Sequence, residues 1–183
     1  LPYLKETLTE VKKRKPDAKP WYRCRVGIVG SEVDDPNLTR MLEEAGAFIV
    51  FDRFCFGALP GREVIELNDE EPALRQICRH YLLTSECPRF MSNEKIAQRR
   101  ETADRLAREY SADGIIYENV KFCDFWGFER ALASHVQHEE YGHPVLTIDR
   151  PYNARTSGQL RTRFQAFVES LEIKRIQQGK EVK

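Results

Sequence analysis

At 183 residues the chain is long enough for one compact domain with a proper core. Its 29 acidic and 29 basic side chains cancel, which argues against non-specific binding to nucleic acid or to a membrane surface. No apolar run approaches the roughly 20 residues of a membrane helix, and five widely spaced cysteines without a C-x-x-C pair do not describe a secreted disulfide framework. Reduced thiols and a cytoplasmic location are therefore expected. A chain that opens at Leu1, with no charged-then-apolar leader, reads as a piece of a longer polypeptide.

Residues 1–15 predict a helix that turns basic at Lys12, Lys13, Arg14 and Lys15, as suits its C-terminal end. Pro16 and Pro20 break it, so residues 1–20 form an N-terminal helix and linker. The α/β domain is expected over residues 21–176, with residues 177–183 a frayed tail. Its first strand is the apolar run Val26, Gly27, Ile28, Val29, Gly30, the pattern of a strand covered on both faces. Asp35 and Pro36 are a cap and first-turn pair for a helix carrying Leu38, Met41, Leu42 and Ala45 on one face. Gly46 ends that helix, and residues 47–51 make the second strand. A loop with Phe54, Cys55, Phe56, Gly57, Pro60 and Gly61 follows. Leu74, Ile77, Cys78, Tyr81 and Leu82 then mark an amphipathic helix whose apolar stripe is expected inside.

A second loop carries Cys87, Pro88 and Arg89 before a helix started by Ser92 or Asn93, with Ile96, Ala103, Leu106, Ala107 and Tyr110 as its stripe. Gly114 to Tyr117 form the third strand, and Lys121, Phe122, Cys123 and Asp124 its exit. The next helix offers Phe128, Ala131, Leu132 and Val136 as its inner face, with His135 packed on that side. A fourth strand over residues 144–148 precedes a last helix that buries Leu160, Phe164, Phe167, Val168 and Leu171. Four short apolar strands alternating with helices imply an open, doubly wound parallel sheet, flavodoxin-like, in the order 2-1-3-4. In such sheets ligands sit outside the carboxyl ends of the strands. Cys55 and Cys123 both fall in those exits.

A thiol beside Lys121 at a helix N-terminus is a good ligand or nucleophile, but a small hydrophobe at a turn has the same spacing, so Cys123 stays open on position alone. Cys87 is equally open, Cys55 between two phenylalanines leans to packing, Cys78 belongs to its helix stripe, and Cys24 has no special claim. His138 and His143 are five apart across Gly142, so they do not form the zinc-protease pair, which needs four. Neither a dinucleotide fingerprint nor a P-loop occurs, and Ser31 has no nucleophile-elbow context. Arg161 and Arg163, at the start of the last helix, are anion candidates with surface pairing as the plain alternative.

Several segments together resemble one family. The residues Val29-Gly30-Ser31-Glu32-Val33-Asp34-Asp35-Pro36, Asp52-Arg53-Phe54-Cys55-Phe56-Gly57 and Cys87-Pro88-Arg89-Phe90-Met91 are similar to benzoyl-CoA reductase subunits. Asp113-Gly114-Ile115-Ile116 leading to Lys121-Phe122-Cys123-Asp124 matches a pattern shared with 2-hydroxyacyl-CoA dehydratases, and residues 158–167 resemble the closing helix of the same family. The ordered set spans residues 24–172, and two positions depart from the pattern: Arg150-Pro151 where a second acidic residue is expected, and Gln165 where a glutamate is usual. The resemblance implies the C-terminal domain of a subunit made of two similar α/β domains, with a [4Fe-4S] cluster held between them by three cysteines. Carried over, Cys123 is the leading ligand, Cys87 a weaker one and Cys55 the weakest. It also implies a second homologous subunit, an ATP-dependent iron–sulfur activator and an acyl-CoA substrate. The implied chemistry is low-potential one-electron reduction of a thioester, with Glu118, Asp124 and His143 as unranked acid–base candidates. The Cys-Pro-Arg and Asp-Arg-Phe-Cys segments lean toward ring reduction of an aromatic acyl-CoA, with radical dehydration as the alternative. A cluster-free partner or acyl-CoA-binding subunit and an unrelated flavodoxin-like binding module are the remaining readings.

Overall fold

A computed structural model describes residues 2–15, 21–55, 57–58, 64–152 and 158–179. The linker prolines Pro16 and Pro20, the loop residues Phe56, Pro60 and Gly61, and the last four residues of the tail lie outside the described set. Four parallel strands, β1 (Cys24–Gly30), β2 (Ala47–Arg53), β3 (Gly114–Val120) and β4 (Val145–Arg150), form one sheet in the order β2-β1-β3-β4. The expected order is thus the observed one, with each strand running two or three residues beyond its apolar run. Helices α1 (Pro2–Lys13), α2 (Pro36–Glu44), α3 (Ala73–Thr84), α4 (Asn93–Glu109), α5 (Asp124–Glu139) and α6 (Gly158–Gln177) complete the chain.

The two sheet faces bury separate cores. Val26, Ile28 and Ile116 meet Leu38, Met41 and Leu42 of α2 and Phe164, Val168 and Leu171 of α6. Val29, Phe51, Ile115 and Tyr117 meet Ala103 and Leu106 of α4 and Trp126 and Ala133 of α5 on the other face. The period-two alternation of side chains along each strand produces this division. Asp35 accepts from the Asn37 N–H with Pro36 in the first turn, and Ser92 accepts from the Lys95 N–H, so α2 and α4 start at their expected caps. Gly27 leaves room for the ring of Phe51, which would lie 2.0 Å from any Cβ there. That close approach coincides with a register shift between Val26 and Gly27 where β1 pairs with β2.

Two helices differ from their expected faces. None of the residues of α3 is buried: Leu74, Tyr81 and Leu82 face solvent and Cys78 is exposed, because no strand or helix among the described residues covers that stripe. In α5 the inner face is Trp126, Glu129, Ala133 and Gln137, while Phe128, Ala131 and Leu132 are exposed and Val136 is only part-buried. His135 is likewise on the outside. The helix is rotated because Glu129 and Gln137 find partners under it: Arg99 at 2.7 Å, and the Arg100 carbonyl at 2.8 Å. A buried polar stripe paired by one hydrogen bond at each of Glu129 and Gln137 outweighs the hydrophobic pattern there.

Candidate functional site

All three leading cysteines come to the carboxyl end of the sheet, each in a loop held by polar contacts. Cys123 caps α5 after the exit of β3, and its sulfur makes no capping hydrogen bond. The turn into it is tight: the Cys123 N–H donates to the Val120 carbonyl at 3.0 Å, and Phe122 has φ +74° with its ring almost fully exposed. A bulky side chain in the left-handed region is uncommon and is maintained only where surrounding contacts dictate it. Cys55 follows β2, where the Asp52 carboxylate accepts from the Ala58 N–H at 2.8 Å and closes the loop. Cys87 precedes α4; its neighbour Glu86 pairs with Arg53 at the end of β2, and Arg99 donates to the Phe90 carbonyl at 3.0 Å.

The three thiols are free, part-exposed or half-buried, and within electrostatic reach of one another. Burial pushes the Cys55 thiol up; the Trp126 indole N–H, 3.3 Å from its sulfur, opposes that, and the neighbouring Cys87 and Cys123 reinforce it. Arg89 hydrogen-bonds to Cys87, which raises the guanidinium pKa, and it also senses Cys55 and Cys123. One cation therefore stands among three soft donors. Among the described residues no group of three His, Cys, Asp or Glu side chains closes on a point suited to a single metal ion. A four-iron cluster holds its thiolates farther apart than one ion does, and three cysteines on one rim are the donor chemistry it takes.

Beneath this rim runs a buried polar layer that the sequence pattern does not reveal. Ser31 donates from Oγ to Glu118 Oε2 at 2.8 Å and accepts the Val120 N–H at 2.6 Å. Glu118 Oε1 lies 2.7 Å from Arg150 Nε, off-line for a hydrogen bond, so that contact is ionic. Burial pushes the Glu118 carboxyl up, and the Arg150 charge and the Ser31 hydroxyl pull the other way. The arginine that departs from the family pattern at position 150 is thus the counter-ion of a carboxylate on the neighbouring strand. A carboxylate in an apolar strand, five residues before a loop cysteine, was the one available signal for this layer.

The remaining candidates separate. Glu118 is fully buried, and Asp124 is exposed in the first turn of α5 beside Cys123. His143 lies at the amino ends of the strands, bonded to Asp104 at 2.7 Å, where it lines a cavity of about 260 Å³. Arg161 pairs with Glu44 at 3.0 Å, and Arg163 donates to the Thr147 carbonyl at 2.5 Å. Cys24 is buried with its thiol pushed up to about 12, chiefly by desolvation.

Comparison with known proteins supplies what geometry does not. A family model described as "2-hydroxyglutaryl-CoA dehydratase, D-component" matches residues 1–171. The chain is 29% identical over 168 residues to the (R)-phenyllactyl-CoA dehydratase beta subunit of Clostridium sporogenes, covering 92% of this chain and 43% of that protein. It is 29% identical over 153 residues to a putative dehydratase subunit, YjiM, of Escherichia coli strain K12, covering 81% of this chain and 38% of that protein. The chain therefore spans less than half the length of these relatives. Both are dehydratase subunits, not reductases, which reverses the lean toward ring reduction drawn from the Cys-Pro-Arg and Asp-Arg-Phe-Cys segments.

Proposed function

Since this chain belongs to the 2-hydroxyglutaryl-CoA dehydratase D-component family, we propose that it is one α/β domain of a subunit of a 2-hydroxyacyl-CoA dehydratase. The overall reaction removes the 2-hydroxyl and a C3 hydrogen as water, leaving a 2-enoyl thioester, and is redox-neutral. The reading rests on one observation above the rest: Cys123, Cys87 and Cys55 share the rim at the carboxyl ends of the strands. These thiols hold the [4Fe-4S] cluster of the complete subunit, Cys123 foremost. When bound, that cluster supplies low-potential single-electron transfer to the thioester. Trp126 orients the Cys55 sulfur through its N–H, and Arg89 offsets thiolate charge at Cys87. Because burial keeps the Cys55 thiol protonated, loading the site releases its proton. Arg161 and Arg163 remain anion candidates for the CoA phosphates, each exchanging an internal partner for the ligand. The assembly includes a second homologous subunit and an ATP-hydrolysing activator, in keeping with the "beta subunit" in a relative's name.

The test is anaerobic iron–sulfur reconstitution of the complete subunit, read by iron and sulfide content and by electron spin resonance. Cluster binding is expected in the native protein, with loss in Cys123→Ser. A native subunit that takes up no iron overturns the assignment. A cluster-free partner role is the second reading, in keeping with the plain packing role that burial of the Cys55 thiol against Trp126 allows. It predicts full activity of the assembled complex with Cys123→Ser.

A further inference from the structure

Cys123 is reached through a turn that leaves the sheet between β1 and β4, and both neighbours grip it. Ser31, the residue after β1, contributes one hydroxyl to two bonds: it accepts the Val120 N–H at 2.6 Å and donates to Glu118 at 2.8 Å. Arg150, at the end of β4, accepts the Lys121 N–H on its carbonyl at 2.8 Å while its guanidinium faces Glu118 at 2.7 Å. The same guanidinium donates to the Glu32 and Tyr152 carbonyls at 2.5 and 3.1 Å, so three strand exits are tied to one buried carboxylate. Ser31, Glu118 and Arg150 are each at most 3% exposed, and none of them reaches the rim to touch a ligand. Two of the three backbone N–H groups from Val120 to Phe122 are thereby fixed just before the left-handed Phe122 and Cys123.

We propose that Ser31, Glu118 and Arg150 are positioning residues that hold the Cys123 turn, and so set where the Cys123 sulfur stands relative to Cys55 and Cys87. This rests on the reading of Cys123 as a site thiol, and it deepens that reading. A carboxylate this deep contributes nothing to binding, and a simple strand residue at position 118 would have been apolar like Ile116. Its hydrogen-bonded and ionic partners, Ser31 and Arg150, both also hold the turn that carries Cys123.

Native-state alkylation of the apo chain with iodoacetamide, followed thiol by thiol by peptide mass spectrometry, tests this without iron. Ser31→Ala is expected to speed Cys123 about fivefold to tenfold, the change one buried hydrogen bond makes in an opening equilibrium. Cys55 and Cys87 should stay within about twofold in the same samples. Ser31→Thr, which keeps the hydroxyl, should restore the native Cys123 rate. Should Ser31→Ala not fold, Glu118→Gln is read in the same way, since it keeps an acceptor for Ser31 and loses only the charge facing Arg150. An unchanged Cys123 rate, or equal acceleration of all three thiols, overturns the proposal. A selective change at Cys123 in a protein whose complete subunit binds no iron supports the positioning and removes only the cluster reading beneath it.

Discussion

Glu118 is fully buried with Arg150 as its ionic partner, and the pair shows how much one side chain can depend on another. Removing one member of such a pair strands the other charge in a low-dielectric interior. Arg150→Met is expected to destabilise the chain by about 3–5 kcal/mol in urea titrations at neutral pH. The pH dependence has a definite sign. Burial already raises the Glu118 carboxyl, so the folded state holds its proton more tightly than the unfolded state. Stability from that group is present at acid pH and is lost as pH rises through the raised value. Without Arg150 the value rises further, so the deficit of Arg150→Met should be larger at pH 8 than at pH 5. An equal deficit at both would mean that losing Arg150 does not change the protonation of Glu118 between those two pH values.

Helix α5 shows that hydrophobic pattern and burial can part at the scale of an element. Its outer face carries Phe125, Phe128 and Leu132, and its inner face carries Glu129 and Gln137. Glu129 lies 2.7 Å from Arg99 and 3.5 Å from Arg100, both of which come from α4. The α4–α5 contact is therefore an ion cluster flanked by Trp126 and Ala133. Glu129→Ala should cost about 3–5 kcal/mol because two guanidiniums lose their counter-charge. Phe128→Ser, on the solvent side, should stay within about 0.5 kcal/mol in the same denaturation assay. The opposite ranking would place the helix the other way round.

Over the whole molecule, the sheet and four of its helices form a closed two-sided core, while α1 and α3 bury nothing. Leu4, Leu8 and Val11 line one side of α1, and Leu74, Leu82 and Leu83 lie open on α3. No helix among the described residues is long and apolar enough to cross a membrane. The exposed stripes lie on a chain that spans 43% and 38% of its two relatives. Leu82→Lys is expected to leave stability within about 0.5 kcal/mol and to lower binding of a hydrophobic dye. A clear loss of stability would show that α3 packs against the domain in solution.

The apolar runs of Val26 to Gly30 and Gly114 to Tyr117, the Asp35-Pro36 cap and the Phe164, Val168, Leu171 stripe were enough for the class, strand order and most helix boundaries. They suffice because strand burial and helix caps are local and periodic, written within a few residues of where they act. The cysteine exits were legible for the same reason: a residue after a buried strand falls at the rim whatever surrounds it. The tertiary structure alone decided which face of α5 turns inward, that α3 lies bare, and that Ser31, Glu118 and Arg150 meet under the Cys123 turn. Those contacts join residues 30 to 118 positions apart or depend on whether another element covers a surface. Partners that distant leave no local period in the chain, so only the assembled sheet brings them into view.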